Sequence, residues 1–156
     1  NILNDRTKIV CTEDSFKILK ESNILSEIIV VKPNQSGKVW EINFQTFPSY
    51  NFGHHHFKDY GFVGYTLEIN KIKYTICGDT DATPELKNIK TDVLLIPIGG
   101  TYTMDAIEAS SITNLIKPKI VIPTHYNFIK GTANKEAEKT FKNLVNKDIE
   151  VLIKIL

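Results

Sequence analysis

Apolar residues recur along the chain with two spacings, every second residue and every third or fourth, and the changes between them predict alternating strands and helices. Lys8-Ile9-Val10-Cys11 reads as a short strand. Thr12 or Glu13 then opens a helix to about Ser22, with Phe16, Ile18 and Leu19 on one side. Ile28-Ile29-Val30-Val31 is a second strand, followed by the turn signal Asn34-Gln35-Ser36-Gly37. From Lys38 to Thr46, the positions Val39, Glu41/Ile42 and Phe44 approach the two-residue period of one half-buried strand.

The second half of the chain alternates more regularly. Phe62 to Ile69 and Ile72 to Cys77 predict a hairpin around Asn70-Lys71. A short helix starts at Pro84. Val93-Leu94-Leu95-Ile96-Pro97 is a continuous apolar run, the pattern of a strand covered on both faces. Met104 to Ile116 is helical, with Met104, Ile107, Ser111 and Leu115 forming one stripe, and Pro118 stops it. Ile120-Val121-Ile122-Pro123 is another buried strand, Asn134 to Val145 another helix, and Val151 to Leu156 a last strand. There is no linker, repeat or low-complexity segment, so residues 1–156 read as one domain of the α/β class.

Composition narrows the function. The 156 residues are 42% hydrophobic and 24% charged, as in an ordinary globular domain large enough for a core. With 19 basic and 18 acidic residues the net charge is +1, which gives no electrostatic basis for binding nucleic acid or an anionic membrane. No apolar run approaches the roughly 20 residues of a membrane helix. Cys11 and Cys77 lack CxxC spacing and sit in apolar strands; buried free thiols fit a reducing compartment, so a cytoplasmic location is expected.

The chemistry gathers at strand ends. Tyr74-Thr75-Ile76-Cys77 runs into Gly78-Asp79-Thr80-Asp81, which delivers a carboxylate to a strand tip, where α/β folds place their sites. His125 ends the strand Ile120 to Pro123 in the same way, and neighbouring strands would bring both tips to one edge. An imidazole and a carboxylate converging there suit a divalent metal, zinc first. The other three histidines are consecutive, His54, His55 and His56, so at most two of them can face one ion. Two other readings use the same residues. Asp79 can cap the helix that follows, making the chain a non-catalytic binding module. The amides of Thr80 to Thr83 can hold a phosphate at a helix start, although a Gly-rich loop and its Lys-Ser/Thr signature are missing.

Several segments in order carry a resemblance: Ser49-Tyr50-Asn51, His56-Phe57-Lys58, Gly61-Phe62-Val63-Gly64-Tyr65, Gly78-Asp79-Thr80-Asp81, Pro84-Glu85, Pro97-Ile98-Gly99-Gly100-Thr101-Tyr102-Thr103-Met104-Asp105 and Pro123-Thr124-His125-Tyr126. From about Lys8 onward the chain resembles the later part of a metallo-β-lactamase superfamily protein, in the branch of metal-dependent hydrolases akin to ascorbate-phosphate lactonase. The resemblance implies an αββα sandwich, two sheets between helices, with the site at a sheet edge. It implies His56, Asp79 and His125 as metal ligands, Asp79 also being the catalytic carboxylate between two ions. Phe57 stands where the branch has proline. Thr101, Tyr102, Met104 and Tyr126 match positions beside the substrate pocket. The implied cofactor is zinc, one or two divalent ions, with manganese or iron as alternatives. The implied reaction is attack of metal-activated water on a small-molecule ester, lactone or phosphorylated substrate.

One hallmark is missing. The superfamily's His-x-His-x-Asp-His motif belongs before the strand at Lys8, and the chain, which begins at Asn1, does not contain it. The expectation is therefore a domain lacking its N-terminal strands, a fragment rather than a degenerate protein. Such a chain should either form a homo-oligomer or depend on a separate upstream piece to cover its open edges.

Overall fold

The computed structural model describes residues 6–22, 24, 26–53, 55–128 and 132–154, with the backbone alone at 127, 128, 132 and 133. Its strands are β1 (Lys8–Cys11), β2 (Glu27–Val30), β3 (Ser36–Val39), β4 (Ile42–Pro48), β5 (Val63–Ile69), β6 (Ile72–Ile76), β7 (Val93–Pro97), β8 (Ile120–Thr124), β9 (Asn127–Phe128), β10 (Thr132–Ala133) and β11 (Glu150–Val151). The helices are α1 (Glu13–Glu21), α2 (Ala106–Ile116) and α3 (Lys135–Leu144), with 3₁₀ turns at Lys58–Tyr60 and Leu86–Asn88.

One sheet of seven strands, in the order β11-β8-β7-β6-β5-β4-β3, organises the fold. β3 to β6 are antiparallel neighbours, whereas β6, β7, β8 and β11 run parallel. The antiparallel half comes from tight hairpins. Asn70 and Lys71 take φ of 52° and 66°, the double left-handed turn whose twist matches the strands it joins. A second hairpin was not expected. Trp40, at φ 49°, turns the chain between Val39 and Ile42, which pair with each other, so Lys38 to Thr46 is two strands rather than one. The expected second sheet is present, among the described residues, as the parallel pair β1–β2. The last strand is also shorter than expected, ending at Val151; residues 155 and 156 lie outside the described residues.

The parallel half carries the core. Leu94 and Ile96 of β7 and Val121 of β8 are fully buried, packed with Ala109, Ile112 and Ile116 of α2 and Phe141 of α3. This corrects the helix stripe. Ile107 and Leu115 are more than half exposed, and α2 instead buries Ala106, Ala109, Ser110, Ile112, Thr113 and Ile116. Ser110 and Thr113 hide on that face because their hydroxyls donate to the carbonyls of Ile107 and Ala109 within the helix. Ile18 of α1 is likewise 68% exposed.

Asp105 fixes where α2 begins. Its carboxylate accepts from the amides of Ile107 and Glu108, and the Glu108 side chain accepts the Asp105 amide in return, a reciprocal capping box. Asp105→Ala should therefore cost about 1 kcal/mol of stability. Chemical denaturation measures it; a change below about 0.3 kcal/mol would mean the cap is redundant.

Candidate metal centre

Three parallel strands in a row, β6, β7 and β8, end on one edge, and the loops leaving them build the site. Asp79 lies three residues beyond β6 and His125 directly follows β8. Their side chains meet, with His125 Nε2 3.5 Å from Asp79 Oδ2, and they remain 49% and 43% exposed. That separation is long for a hydrogen bond but suits two donors of one cation. With metal–ligand bonds of about 2.1 Å at a tetrahedral angle, two ligand atoms sit about 3.4 Å apart. The pair thus fits two coordination positions of a metal such as zinc.

The loop carrying Asp79 is held from its backbone, leaving the carboxylate free. Ser49 Oγ donates to the carbonyl of Cys77 (2.9 Å). The Thr80 hydroxyl, fully buried, donates to the Tyr50 carbonyl and accepts the Tyr50 amide. Asp81 is tied twice: Oδ1 accepts from Asn51 Nδ2 (3.1 Å) and Oδ2 from the Phe52 amide (2.7 Å). Gly78, at φ 68°, supplies the left-handed step that ends the strand.

His125 is placed by close packing. The β7–β8 ladder continues to the Ile98 amide, which donates to the Thr124 carbonyl, and His125 then lies against Gly99. A Cβ on Gly99 would come within 2.3 Å of the His125 carbonyl oxygen. His125 itself takes φ 50°, a left-handed conformation that costs a non-glycine residue about 1–3 kcal/mol and concentrates at functional sites. The Gly99-Gly100 pair after β7 was the sequence signal for this approach; its role as the wall behind His125 went unread.

The third expected ligand stands apart. His56 is half-buried in the loop before the first 3₁₀ turn, edge-on to Phe62 with ring centroids 5.4 Å apart, and its Nδ1 is buried without a hydrogen-bond partner. Among the described residues no three His, Cys, Asp or Glu side chains form a metal-binding group. The expected convergence of His56, Asp79 and His125 is therefore met for the last two only. His55 is exposed and packs edge-on against Tyr102, with centroids 4.2 Å apart, and His54 lies outside the described residues.

Of the expected pocket residues, Thr101 and Tyr102 are exposed in the loop after Gly100, beside the site. Met104 and Tyr126 are a correction: both are buried to within 1% in the core, where they line no open surface. Met104 acts through its backbone, its amide donating to the Thr80 carbonyl (3.1 Å) and its carbonyl accepting from Gly100. Tyr126 points its hydroxyl toward Glu138 of α3, 3.4 Å away, and burial raises its pKa.

The two other readings of this edge fare worse. Asp79 caps no helix: the next helical residues are the 3₁₀ turn Leu86–Asn88, whose first amide goes to the Thr83 hydroxyl. A phosphate cradle at Thr80 to Thr83 is short of donors, because two of its four amides, those of Asp81 and Thr83, are already spent on the carbonyls of Tyr50 and Asp81. Both cysteines are free and buried, and complete burial raises the Cys77 thiol pKa far above its ordinary value. No helix among the described residues is long and apolar enough to cross a membrane.

A solvent-exposed ion pair ties the Lys58 turn to Glu85. Lys58 Nζ donates to Glu85 Oε1 (2.6 Å) and the Tyr50 hydroxyl to Glu85 Oε2 (3.0 Å). Lys58 is the main cause that lowers the Glu85 pKa. A lowered carboxylate contributes stability above its unfolded pKa, about 4.3, and loses it as pH falls through the lower folded value. Wild-type protein should therefore lose stability below about pH 4 more steeply than Glu85→Gln. Parallel acid melts of the two proteins would refute the tie.

The chain is similar to known proteins in sequence and in fold. A family model described as a beta-lactamase superfamily domain matches residues 8–125. A UPF0173 metal-dependent hydrolase of Nanoarchaeum equitans is 41% identical over 100 residues, covering 56% of this chain and 46% of that protein. Its counterpart in Thermococcus onnurineus is 36% identical, covering 58% and 42%. The chain thus spans about half the length of the curated relatives it matches. Among solved structures, a protein of Parabacteroides distasonis superposes with a TM-score of 0.78 at 26% identity, covering 99% of this chain and 67% of its own. Igni18, a metallo hydrolase from Ignicoccus hospitalis, superposes with a TM-score of 0.73 at 20% identity, covering 95% and 65%, and shares the fold.

Proposed function

The chain belongs to the beta-lactamase superfamily, and on that premise we propose that it forms part of a metal-dependent hydrolase whose cation sits at the Asp79–His125 edge. The observation that carries this reading is the 3.5 Å approach of an imidazole nitrogen and a carboxylate oxygen, half-exposed at adjoining strand tips. The relatives named as metal-dependent hydrolases support it. Zinc is the proposed ion, since one nitrogen and one oxygen donor at this spacing fit its tetrahedral preference. Bound there, it would supply Lewis acidity, polarising a carbonyl or phosphoryl oxygen and lowering the pKa of water.

The chain's own contribution is position. Asp79 and His125 are presented from strand ends, with both side chains partly open to solvent. Thr101 and Tyr102, exposed beside them, are the residues placed to meet the substrate, for which a small ester, lactone or phosphorylated compound is proposed. A panel of aryl esters, lactones and phosphate monoesters, run with protein purified without chelator, tests this. Turnover that is lost with chelator and restored by zinc is expected.

A second reading has one observation in its favour: no third donor stands beside the pair among the described residues. In that reading the chain is a binding module that takes up metal weakly and turns nothing over. Stoichiometric metal without hydrolysis of any compound in the panel would select it.

A further inference from the structure

Asn51 holds an unfinished set of hydrogen bonds. It is 4% exposed, and its side-chain amide uses both of its hydrogens, Nδ2 donating to Asp81 Oδ1 (3.1 Å) and to the Tyr102 carbonyl (3.0 Å). Both partners are acceptors, so the amide cannot be flipped without setting oxygen against oxygen. Its Oδ1 is consequently fixed facing away from them, buried and unpaired. Among the described residues one other buried side-chain atom has no partner, His56 Nδ1. The two residues are neighbours, for the backbone amide of Asn51 donates to the His56 carbonyl at 2.8 Å.

One of these unpaired atoms is an acceptor, and the other becomes a donor in one of the two imidazole tautomers. Leaving both unmatched in a buried setting is unfavourable, and a single contact relieves both. We propose that Asn51 is the positioning residue for His56: the imidazole turns so that Oδ1, unpaired in this structure, accepts the His56 Nδ1–H, which holds the ring in the tautomer whose Nε2 lone pair is free for a cation. Histidines that ligate metals ordinarily donate their second nitrogen in this way, which fixes ring orientation and raises basicity. Asn51 thereby joins three loops through one amide, the Asp79–Asp81 turn, the Tyr102 loop and the His56 loop. His56 is the one expected ligand that the strand ends do not deliver, and a side-chain tether is what such a loop ligand requires.

The proposal rests on the metal reading of the site for its purpose but not for its test. Imidazole nitrogen chemical shifts of the metal-free protein report the tautomer of His56, assigned by comparison with His56→Gln. Wild type should show the proton on Nδ1, and Asn51→Leu, which keeps the volume and removes the acceptor, should lose that preference. Ser49→Ala loosens the same turn, by removing the hydroxyl that donates to the Cys77 carbonyl, without touching the Asn51 side chain, so its His56 should keep the wild-type tautomer. Asn51→Leu should also weaken zinc binding by about 10–100-fold, the usual effect of losing an outer partner of a ligand. A proton on Nε2 in wild type, or a tautomer unchanged in Asn51→Leu, would overturn the assignment. Failure of wild type to bind zinc would instead refute the proposed metal centre, and the tautomer comparison would still decide the role of Asn51.

Discussion

Asp79→Ala should weaken zinc binding more than about 100-fold, beyond the 10–100-fold typical of outer partners, and abolish metal-dependent hydrolysis, while stability stays within about 0.5 kcal/mol of wild type. The asymmetry follows from how the residue is held. Its loop is fastened by the backbone and by Ser49, Thr80 and Asp81, none of which uses the Asp79 carboxylate. That carboxylate is 43% exposed, and its near neighbour is His125. Removing it deletes no buried contact, and in the metal-free protein it leaves no charge stranded. A ligand is different, because binding free energy is shared among few bonds and losing one is not made good by solvent. Zinc titration calorimetry and thermal melts on the same samples separate the two effects. A drop of several kcal/mol in stability with zinc affinity intact would return Asp79 to a structural role.

Gly99→Ala should instead damage both properties at once. The added methyl would lie 2.3 Å from the His125 carbonyl oxygen and 3.3 Å from its Nδ1. The first of these is backbone, held by the β7–β8 ladder through Ile98 and Thr124, so it cannot swing aside as a side chain would. Overpacking of this kind costs about 1–3 kcal/mol. The strain also falls on a residue already at φ 50°, so relief comes from moving His125 away from Asp79. Metal affinity should then fall together with the melting temperature. Unchanged stability and unchanged affinity would show that the loop after β7 is not the wall that sets His125.

The site's two strand-tip residues were legible for a physical reason. Val93 to Pro97 and Ile120 to Pro123 are apolar at nearly every position, which marks central parallel strands, and a polar residue directly after such a run has little choice but the sheet edge. His125 follows from that alone, whereas Asp79, beyond the mixed strand Ile72–Ile76, is marked by the Gly78-Asp79 break that ends the strand. His56 follows from neither, since it belongs to a loop whose course depends on a hydrogen bond from the Asn51 backbone amide and on packing against Phe62. The hairpin at Asn70-Lys71 carries a turn-forming Asn, whereas the one at Trp40-Glu41 carries none and was read through as strand. In α2 the larger apolar residues pointed to the wrong face. Ala109, Ser110 and Thr113 lie inward because small side chains let the helix approach the sheet, and the hydroxyls are satisfied within the helix. Met104 and Tyr126 show the limit of motif matching. Their position beside the site in sequence is real, but the backbone turns their side chains into the core.

The most direct test is a crystal structure of the zinc-loaded protein with anomalous data collected at the zinc edge. The account predicts an anomalous peak lying about 2.0–2.2 Å from both His125 Nε2 and Asp79 Oδ2, with His56 turned toward the same ion and its Nδ1 against Asn51. Zinc found only at other surface residues, with the Asp79–His125 edge empty at saturating metal, would contradict it.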